Sequence, residues 1–313
     1  MRIRWIVACV FGLLLFAAAR AQTDRVKELA PGVYFWQGDA SQRQPANCTW
    51  VIFKDYVLVI DANFPWGARE IVPRIKATTS KPIRFVFDTH YHGDHAFGNS
   101  IFTDTGATII CSEACAEELR TKGARGFADW NDAAHPLTGA RFEPATVTFT
   151  DGMAFDDGTH RVELMRMGPG HSKGDSVAYL PHEKILVTGD LCVTWSSGNN
   201  VADADADHDN WVRALDRMEK MDVTTVIPGH GTPAAKRALT AQRGQTRRQD
   251  ARSIGARDRP EPARKSGGEQ RRQRVVNPRH VPEALGDHSA RGRFRRSDAK
   301  QHQIGILPVH LRV

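Results

Sequence analysis

A dense group of side chains able to bind a metal ion lies between residues 89 and 95. This segment reads Thr-His-Tyr-His-Gly-Asp-His, which places His90, His92, Asp94 and His95 close together. In an extended chain, residues two apart project to the same side, so we expect His90, His92 and Asp94 to face one way and His95 another. This arrangement can supply ligands to two neighbouring metals, and imidazole with carboxylate suits zinc, iron or manganese.

Three later segments place an imidazole or a carboxylate directly after a glycine, at the predicted end of a strand. Each of these segments, taken alone, is typical of a turn. Their order and spacing after the first cluster nevertheless indicate one site that is assembled from several loops. The segments are Gly168-Pro-Gly-His171, Val187-Thr-Gly-Asp190 and Ile227-Pro-Gly-His230.

The elements that position these segments are strands and helices in alternation, which predicts an α/β domain. Strands are expected at 32–36, 48–53, 56–60, 83–87, 107–110 and 225–228, with three or four more between residues 145 and 190. Helices are expected at 65–76, 112–122, 207–221 and 233 to about 242, with Ser112 as an N-cap. Residues 126–144 are predicted to form an irregular insertion.

The motif series resembles that of the metallo-β-lactamase superfamily over about residues 30–240. The resemblance implies an αββα sandwich with two Zn²⁺ ions per chain. It assigns one ion to His90, His92 and His171, and the other to Asp94, His95 and His230. Asp190 would bridge the two ions, and Asp61, which closes a predicted strand, would orient the ligands.

The same resemblance implies a dinuclear zinc-dependent hydrolase acting on a small molecule. In such an enzyme, metal-bound hydroxide attacks the carbonyl of an ester, thioester, lactone or lactam. Asp94 would be the catalytic residue that orients the nucleophile or passes its proton to the leaving group. The set of five histidines and two aspartates fits zinc best, with iron and manganese as alternatives.

Two other functions stay open. The first is hydrolysis of β-lactam antibiotics, although the true β-lactamases of the superfamily mostly carry Cys or Ser at the position of Asp190. The second is a non-catalytic, metal-dependent accessory or binding protein of a periplasmic redox system. The sequence does not indicate the oligomeric state.

The two ends of the chain have their own patterns. Residues 1–21 combine a basic start, an apolar run and Ala19-Arg-Ala21, which predicts a cleaved signal peptide, a periplasmic or secreted protein and no stable membrane span after cleavage. Residues 22–243 are predicted to form the hydrolase domain. Residues 244–313 hold 17 Lys and Arg against 7 Asp and Glu and few apolar residues, which predicts a basic, disordered tail. Because Phe294 is its one aromatic residue, we expect no nucleic-acid partner.

Aromatic and cysteine side chains have two interpretations each. The aromatic residues can line an apolar substrate pocket or pack in the core. The cysteines of the mature chain are expected to be buried free thiols, with a strained bridge between Cys111 and Cys115 as the alternative. The aromatic residues in question are Trp36, Phe64, Trp66, Trp130 and Trp195, and the other cysteines are Cys48 and Cys192.

Overall fold

The strands predicted around the His90 motif form the first of two sheets. The computed structural model describes residues 25–42, 45–130, 137, 139–195 and 206–257. The first sheet has seven strands in sequence order; the first four form an antiparallel meander, and the fourth to the seventh run parallel. Its strands are β1 (Val26–Ala30), β2 (Val33–Trp36), β3 (Cys48–Ile52), β4 (Val57–Ile60), β5 (Ile83–Phe87), β6 (Thr108–Ser112) and β7 (Val147–Phe149).

The second sheet contains the strands that lead into the later motifs. It has six strands in the order β13-β12-β11-β10-β9-β8, and only β11 and β12 are paired in parallel. Its strands are β8 (Gly152–Asp156), β9 (Arg161–Arg166), β10 (Ser176–Leu180), β11 (Ile185–Val187), β12 (Thr225–Ile227) and β13 (Ala234–Ala235).

Helices cover the outer face of each sheet. A π-helical turn at Leu119–Gly123 joins two of these helices, and short 3₁₀ turns lie at Ala40–Gln42 and Gly189–Leu191. No helix in the described ranges is long and apolar enough to cross a membrane. The helices are α1 (Pro65–Thr78), α2 (Gly93–Ala96), α3 (Asn99–Thr103), α4 (Glu113–Glu118), α5 (Ala124–Trp130), α6 (His208–Glu219) and α7 (Arg237–Arg257).

Side-chain alternation along the strands separates the layers. In β4, Leu58 and Ile60 belong to the apolar cluster between the two sheets, whereas Val57 and Val59 pack towards α1. All four are fully buried, which explains the continuous apolar run of this strand. A third cluster packs α6 and α7 against the second sheet. The predicted αββα sandwich is therefore confirmed.

Several predicted boundaries are wrong. The meander begins with β1 before residue 31, and five strands, not three or four, lie between residues 145 and 190. Part of the segment predicted to be irregular is helix α5, whose Phe127 is held by an edge-on contact with Phe97. Residues 131–136 and 138 of that segment lie outside the described residues, as do residues 1–24 with the predicted signal peptide.

The last helix differs most from its prediction. Residues 234–235 pair with β12 as a strand, so α7 begins only at Arg237. It does not end near Gln242 but crosses the predicted boundary at residue 243 and continues to Arg257, because Leu239, Gln242 and Thr246 are buried on the domain. The rest of the predicted tail lies outside the described residues. The elements above, apart from Arg257, belong to one compact unit.

The predicted thiols and N-cap agree with the structure. The four cysteines of the described residues are buried and free, so the alternative of a bridge between Cys111 and Cys115 is wrong. The Ser112 hydroxyl accepts a hydrogen bond from the Cys115 backbone N–H at 3.2 Å, as an N-cap does.

Docking of α7 on the domain can be measured through one buried leucine. Leu239 is fully buried, so Leu239→Ala is expected to lower the free energy of unfolding by about 2–5 kcal/mol in a denaturant titration. Thr240, the next residue of the helix, is exposed, and Thr240→Ala is expected to change the free energy of unfolding by less than about 0.5 kcal/mol. Equal stability of the two variants would show that α7 does not pack as the structure describes.

Candidate metal centre

The predicted site residues all lie at one edge of the two sheets. Each predicted residue follows a strand of one of the two sheets. In the first sheet β4 and β5 are parallel neighbours, and in the second sheet β11 and β12 are parallel neighbours. The carboxyl ends of parallel neighbours meet at the same edge, so the loops that follow them lie side by side. Asp61 follows β4, His90 to His95 follow β5, His171 lies between β9 and β10, Asp190 follows β11, and His230 follows β12.

The first group of side chains consists of His90, His92, His171 and Asp190. Each contributes one nitrogen or oxygen atom to a cluster in which these atoms lie within 4.8 Å of one another. Nε2 of His171 is 3.0 Å from Nδ1 of His92 and 3.5 Å from Oδ2 of Asp190. The imidazoles of His90, His92 and His171 meet edge to face, with ring centroids 4.7–5.1 Å apart.

The second group consists of Asp94, His95 and His230. Nε2 of His230 is 3.4 Å from Nε2 of His95 and 3.4 Å from Oδ2 of Asp94. The other carboxylate oxygen of Asp190, Oδ1, is 3.3 Å from Nε2 of His95 and 3.2 Å from Nε2 of His230. Asp190 therefore presents one oxygen to each group.

The spacing argument alone assigned Asp94 to the wrong side. It placed Asp94 with His90 and His92, but Asp94 lies with His95 instead. The reason is local: helix α2 begins at Gly93, so the extended geometry ends at His92. The structure places Asp94 with His95 and His230, and places His90 and His92 with His171 and Asp190.

The two groups can each hold a metal ion. Ligand atoms about 2.1 Å from a tetrahedral ion lie about 3.4 Å from each other. Four of the distances between donor atoms within the groups are 3.0, 3.4, 3.4 and 3.5 Å, which is close to that spacing. Nε2 of His90 is buried and has no hydrogen-bond partner among the described residues. A buried polar atom without a partner is costly, and a metal ion inside the first group would satisfy it.

Asp61 orients the second group. One of its oxygens accepts a hydrogen bond from the Thr89 backbone N–H at 2.8 Å. The other lies 2.9 Å from Nδ1 of His95 and accepts a hydrogen bond from the Thr89 hydroxyl at 3.1 Å. That hydroxyl is also 3.1 Å from Nδ1 of His90. Asp61 and Thr89 thus leave the Nε2 atoms of His90 and His95 to face the site.

Charges inside the site shift its pKa values in opposite directions. Burial, and then the neighbouring imidazoles of His95 and His92, hold the pKa of His90 well below its usual value, so His90 stays neutral with a free lone pair. Burial lowers the pKa of His230, but the charge of Asp190 and its hydrogen bond outweigh burial and raise it to about 9. Burial raises the pKa of Asp190, yet His230 and His95 outweigh it and hold that pKa well below normal.

Glycine is required where the last two loops touch. A Cβ atom on Gly229 would lie 2.0 Å from Oδ1 of Asp190, so any larger residue would displace that carboxylate. Gly189 has a positive φ of 50°, and a Cβ there would lie 2.4 Å from the Thr89 hydroxyl. The glycines before Asp190 and His230 therefore allow the loops to approach each other.

Sequence reasoning missed two residues that hold these loops. Thr89 stands directly before His90 in the first motif, and this position is the sequence signal for its role. Asn47 donates from its side chain to the carbonyls of Pro228 and Gly231, on both sides of His230, at 2.8 and 3.0 Å. No local pattern marks Asn47, because its partners lie far along the chain.

The aromatic residues that could line a substrate pocket or pack in the core lie in different surroundings. Trp36 is fully buried beneath Arg25 and belongs to the core. Trp195 is partly exposed and packs on His230 with ring centroids 4.6 Å apart. Phe64 and Trp66 stack on each other at 4.7 Å. The side chain of Trp130 lies outside the described residues.

Cys192 does not act as a nucleophile in this setting. Its thiol is fully buried among apolar side chains behind Asp190. Burial, and then the charge of Asp190, raise the pKa of this thiol to about 12, so the thiol stays protonated at neutral pH.

Known proteins similar to this chain share its fold. A metallo-β-lactamase from Pontibacter korlensis superposes with a TM-score of 0.60 at 22% identity, covering 71% of this chain and 98% of that one. Over 239 residues the chain is 22% identical to a type 2 metallo-β-lactamase of Elizabethkingia meningoseptica, covering 73% of this chain and 88% of the relative. A 2,4-dinitroanisole O-demethylase α subunit of Nocardioides sp. is 27% identical over 161 residues, which span 51% of this chain and 44% of the relative.

The family model described as the metallo-beta-lactamase superfamily matches residues 42–230. The match covers more than half of the chain and runs from the first sheet to the last of the seven clustered residues, His230. The chain belongs to the metallo-β-lactamase superfamily.

Proposed function

We propose that this chain is a dinuclear zinc-dependent hydrolase that attacks the carbonyl carbon of a small ester, thioester, lactone or lactam and breaks the acyl C–O, C–S or C–N bond. The observation that carries the proposal is the position of Asp190, with one oxygen 3.5 Å from His171 and the other 3.2 Å from His230. The seven side chains would hold two Zn²⁺ ions in the two groups described, with Asp190 between them. When bound, such ions polarise a carbonyl and make water a nucleophile at neutral pH.

Asp94 is the residue we assign to proton transfer. Its side chain is 20% exposed, whereas that of His95 beside it is fully buried. Oδ2 of Asp94 lies 3.4 Å from His230, at the open side of the second group. From this position, the carboxylate can orient an attacking water and carry its proton to the leaving group.

The rim of the site favours a substrate with an apolar part. Trp195 packs on His230, and Tyr91 packs on His92 with ring centroids 4.5 Å apart. Tyr91 also packs on the cluster around Cys111 and Leu119, whereas Trp195 is partly exposed, so an apolar group of the substrate can contact Trp195 while its carbonyl faces the metals.

Hydrolysis of β-lactam antibiotics is the second candidate, because proteins named metallo-β-lactamases are among the relatives. Asp190 argues against it, since the true β-lactamases mostly carry Cys or Ser at this position. An accessory protein that binds metal without turnover is the third.

We also propose export to the periplasm or beyond, on the pattern of residues 1–21.

A hydrolysis panel tests the proposal. Zinc-loaded protein is expected to hydrolyse at least one of a lactone, an acyl ester, a thioester and a cephalosporin, and to lose the activity when a chelator removes zinc. His92→Ala removes one ligand of the first group and is expected to abolish turnover. His182 is exposed and lies on the turn between β10 and β11, so His182→Ala is the matched control and should retain full activity.

Absence of turnover on the whole panel by zinc-loaded, folded protein would contradict the hydrolase assignment. It would favour the accessory or binding protein instead. Turnover of the cephalosporin alone would select the β-lactamase alternative.

The orienting role of Asp61 gives a second prediction. Asp61→Asn weakens the hydrogen bond to Nδ1 of His95, so we expect about a 10–100-fold loss of zinc affinity in competition with a chelating dye. Asp157 lies in the turn between β8 and β9 and caps that turn, so Asp157→Asn is the matched control. Equal zinc affinity of Asp61→Asn and wild type would refute the role of Asp61.

A further inference from the structure

The first turn of helix α6 contacts two of the loops that carry the proposed ligands. It lies next to the loop that leads to His171 and the loop that follows Asp190. These loops come from different strands, β9 and β11, and α6 is a separate element later in the chain. The contacts involve Asp207, Asn210 and Trp211.

Three carbonyl groups of the His171 loop accept hydrogen bonds from this turn. The Asp207 backbone N–H donates to the carbonyl of Gly170 at 2.8 Å. The Asn210 side-chain amide donates to the carbonyl of Met167 at 3.4 Å and also to that of Pro169. The path of the chain directly before His171 is therefore fixed by α6.

Trp211 reaches both loops with one side chain. It is fully buried, and its indole Nε1–H donates to the carbonyl of Leu191, the residue after Asp190, at 3.0 Å. Its ring meets the imidazole of His171 edge to face, with centroids 5.6 Å apart and planes at 62°. Trp211 thus connects the His171 imidazole to the loop that follows Asp190.

The two loops are packed tightly where Trp211 meets them. A Cβ atom on Gly170 would lie 2.7 Å from Cδ2 of Leu191 and 3.7 Å from Cα of Trp211. A side chain at position 170 would therefore collide with Leu191, so glycine lets the His171 loop pass close to the loop that follows Asp190. Trp211 contacts both loops beside this close approach.

We propose that Trp211 is a positioning residue of the metal centre. Its ring sets the plane of the His171 imidazole, and its N–H holds the Asp190 loop, so that both side chains point at the same ion. The inference rests on the proposed function only in requiring that the two groups bind metal. It does not depend on which substrate is hydrolysed.

The test compares two Trp→Phe substitutions. Trp211→Phe removes the indole N–H and shortens the ring that contacts His171. Trp50 is also fully buried and also makes one indole hydrogen bond, to the Thr78 hydroxyl at 3.1 Å, but it lies on the face of the first sheet covered by α1. Trp50→Phe therefore reproduces the loss of packing without touching the metal centre.

Zinc affinity and the visible spectrum of the Co²⁺-substituted protein are the readouts. We expect Trp211→Phe to weaken at least one zinc ion by about 10–100-fold and to change the Co²⁺ absorption bands. We expect Trp50→Phe to leave the zinc affinity and the Co²⁺ spectrum unchanged, even if both substitutions lower the unfolding midpoint by the same amount. Wild-type affinity and an unaltered spectrum in Trp211→Phe, or equal changes in both variants, would overturn the proposal.

Asn210→Ala keeps the inference testable if Trp211→Phe does not fold. It removes the side-chain bonds to Met167 and Pro169 while Trp211 stays in place, so it disturbs the same support from its other side. We expect a smaller loss of zinc affinity and a changed Co²⁺ spectrum, and wild-type values would overturn the proposal. Wild-type protein that binds zinc without hydrolysing the panel would refute the proposed function alone, whereas wild-type protein without zinc would refute both.

Discussion

Seven polar side chains from separate loops converge in a region that is largely closed to water, and the rest of the site depends on this constraint. His90, His95 and His171 are each no more than 1% exposed, and Asp190 is 7% exposed. Burying imidazoles and carboxylates together is costly unless each finds a partner. These side chains meet part of one another's need for hydrogen bonds and opposite charge. A bound cation would meet the rest, so the cluster is suited to binding cations.

Backbone hydrogen bonds between the loops hold this arrangement. The N–H of Ala62 donates to the carbonyl of His95, and the N–H of Ser176 donates to that of Thr89. On the other side of the site, the N–H of Gly229 donates to the carbonyl of Gly189. Because these bonds join the ends of different strands, the sheets position the ligands through backbone geometry. The side chains of Asp61 and Trp211 then contact the imidazoles of His95 and His171, and Asn47 holds the backbone on both sides of His230.

Much of this organisation could be predicted from local sequence. The apolar run of β4 and its closing aspartate gave the correct strand, and the motif series gave all seven clustered residues. Non-local packing explains what was missed. The turn into α2 at Gly93 separates Asp94 from His92, and residue spacing cannot predict it. Helix α7 extends beyond Gln242 because Thr246 is buried on the domain, although its surrounding sequence is strongly polar.

Local sequence patterns also do not predict the roles of Asn47 and Trp211. Trp211 lies on the apolar face of an amphipathic helix, which by itself predicts a core residue. Only the folded chain places its indole between two proposed ligand loops. Function in this fold therefore depends on residues whose partners lie far along the chain.

The most direct test of the account is anomalous X-ray diffraction at the zinc absorption edge, from crystals of the wild-type protein grown with zinc. Two peaks about 3.5–4 Å apart are expected. One should lie against His90, His92 and His171, the other against Asp94, His95 and His230, with the Asp190 carboxylate between them. A single peak, or no peak within ligand distance of these side chains, would contradict it.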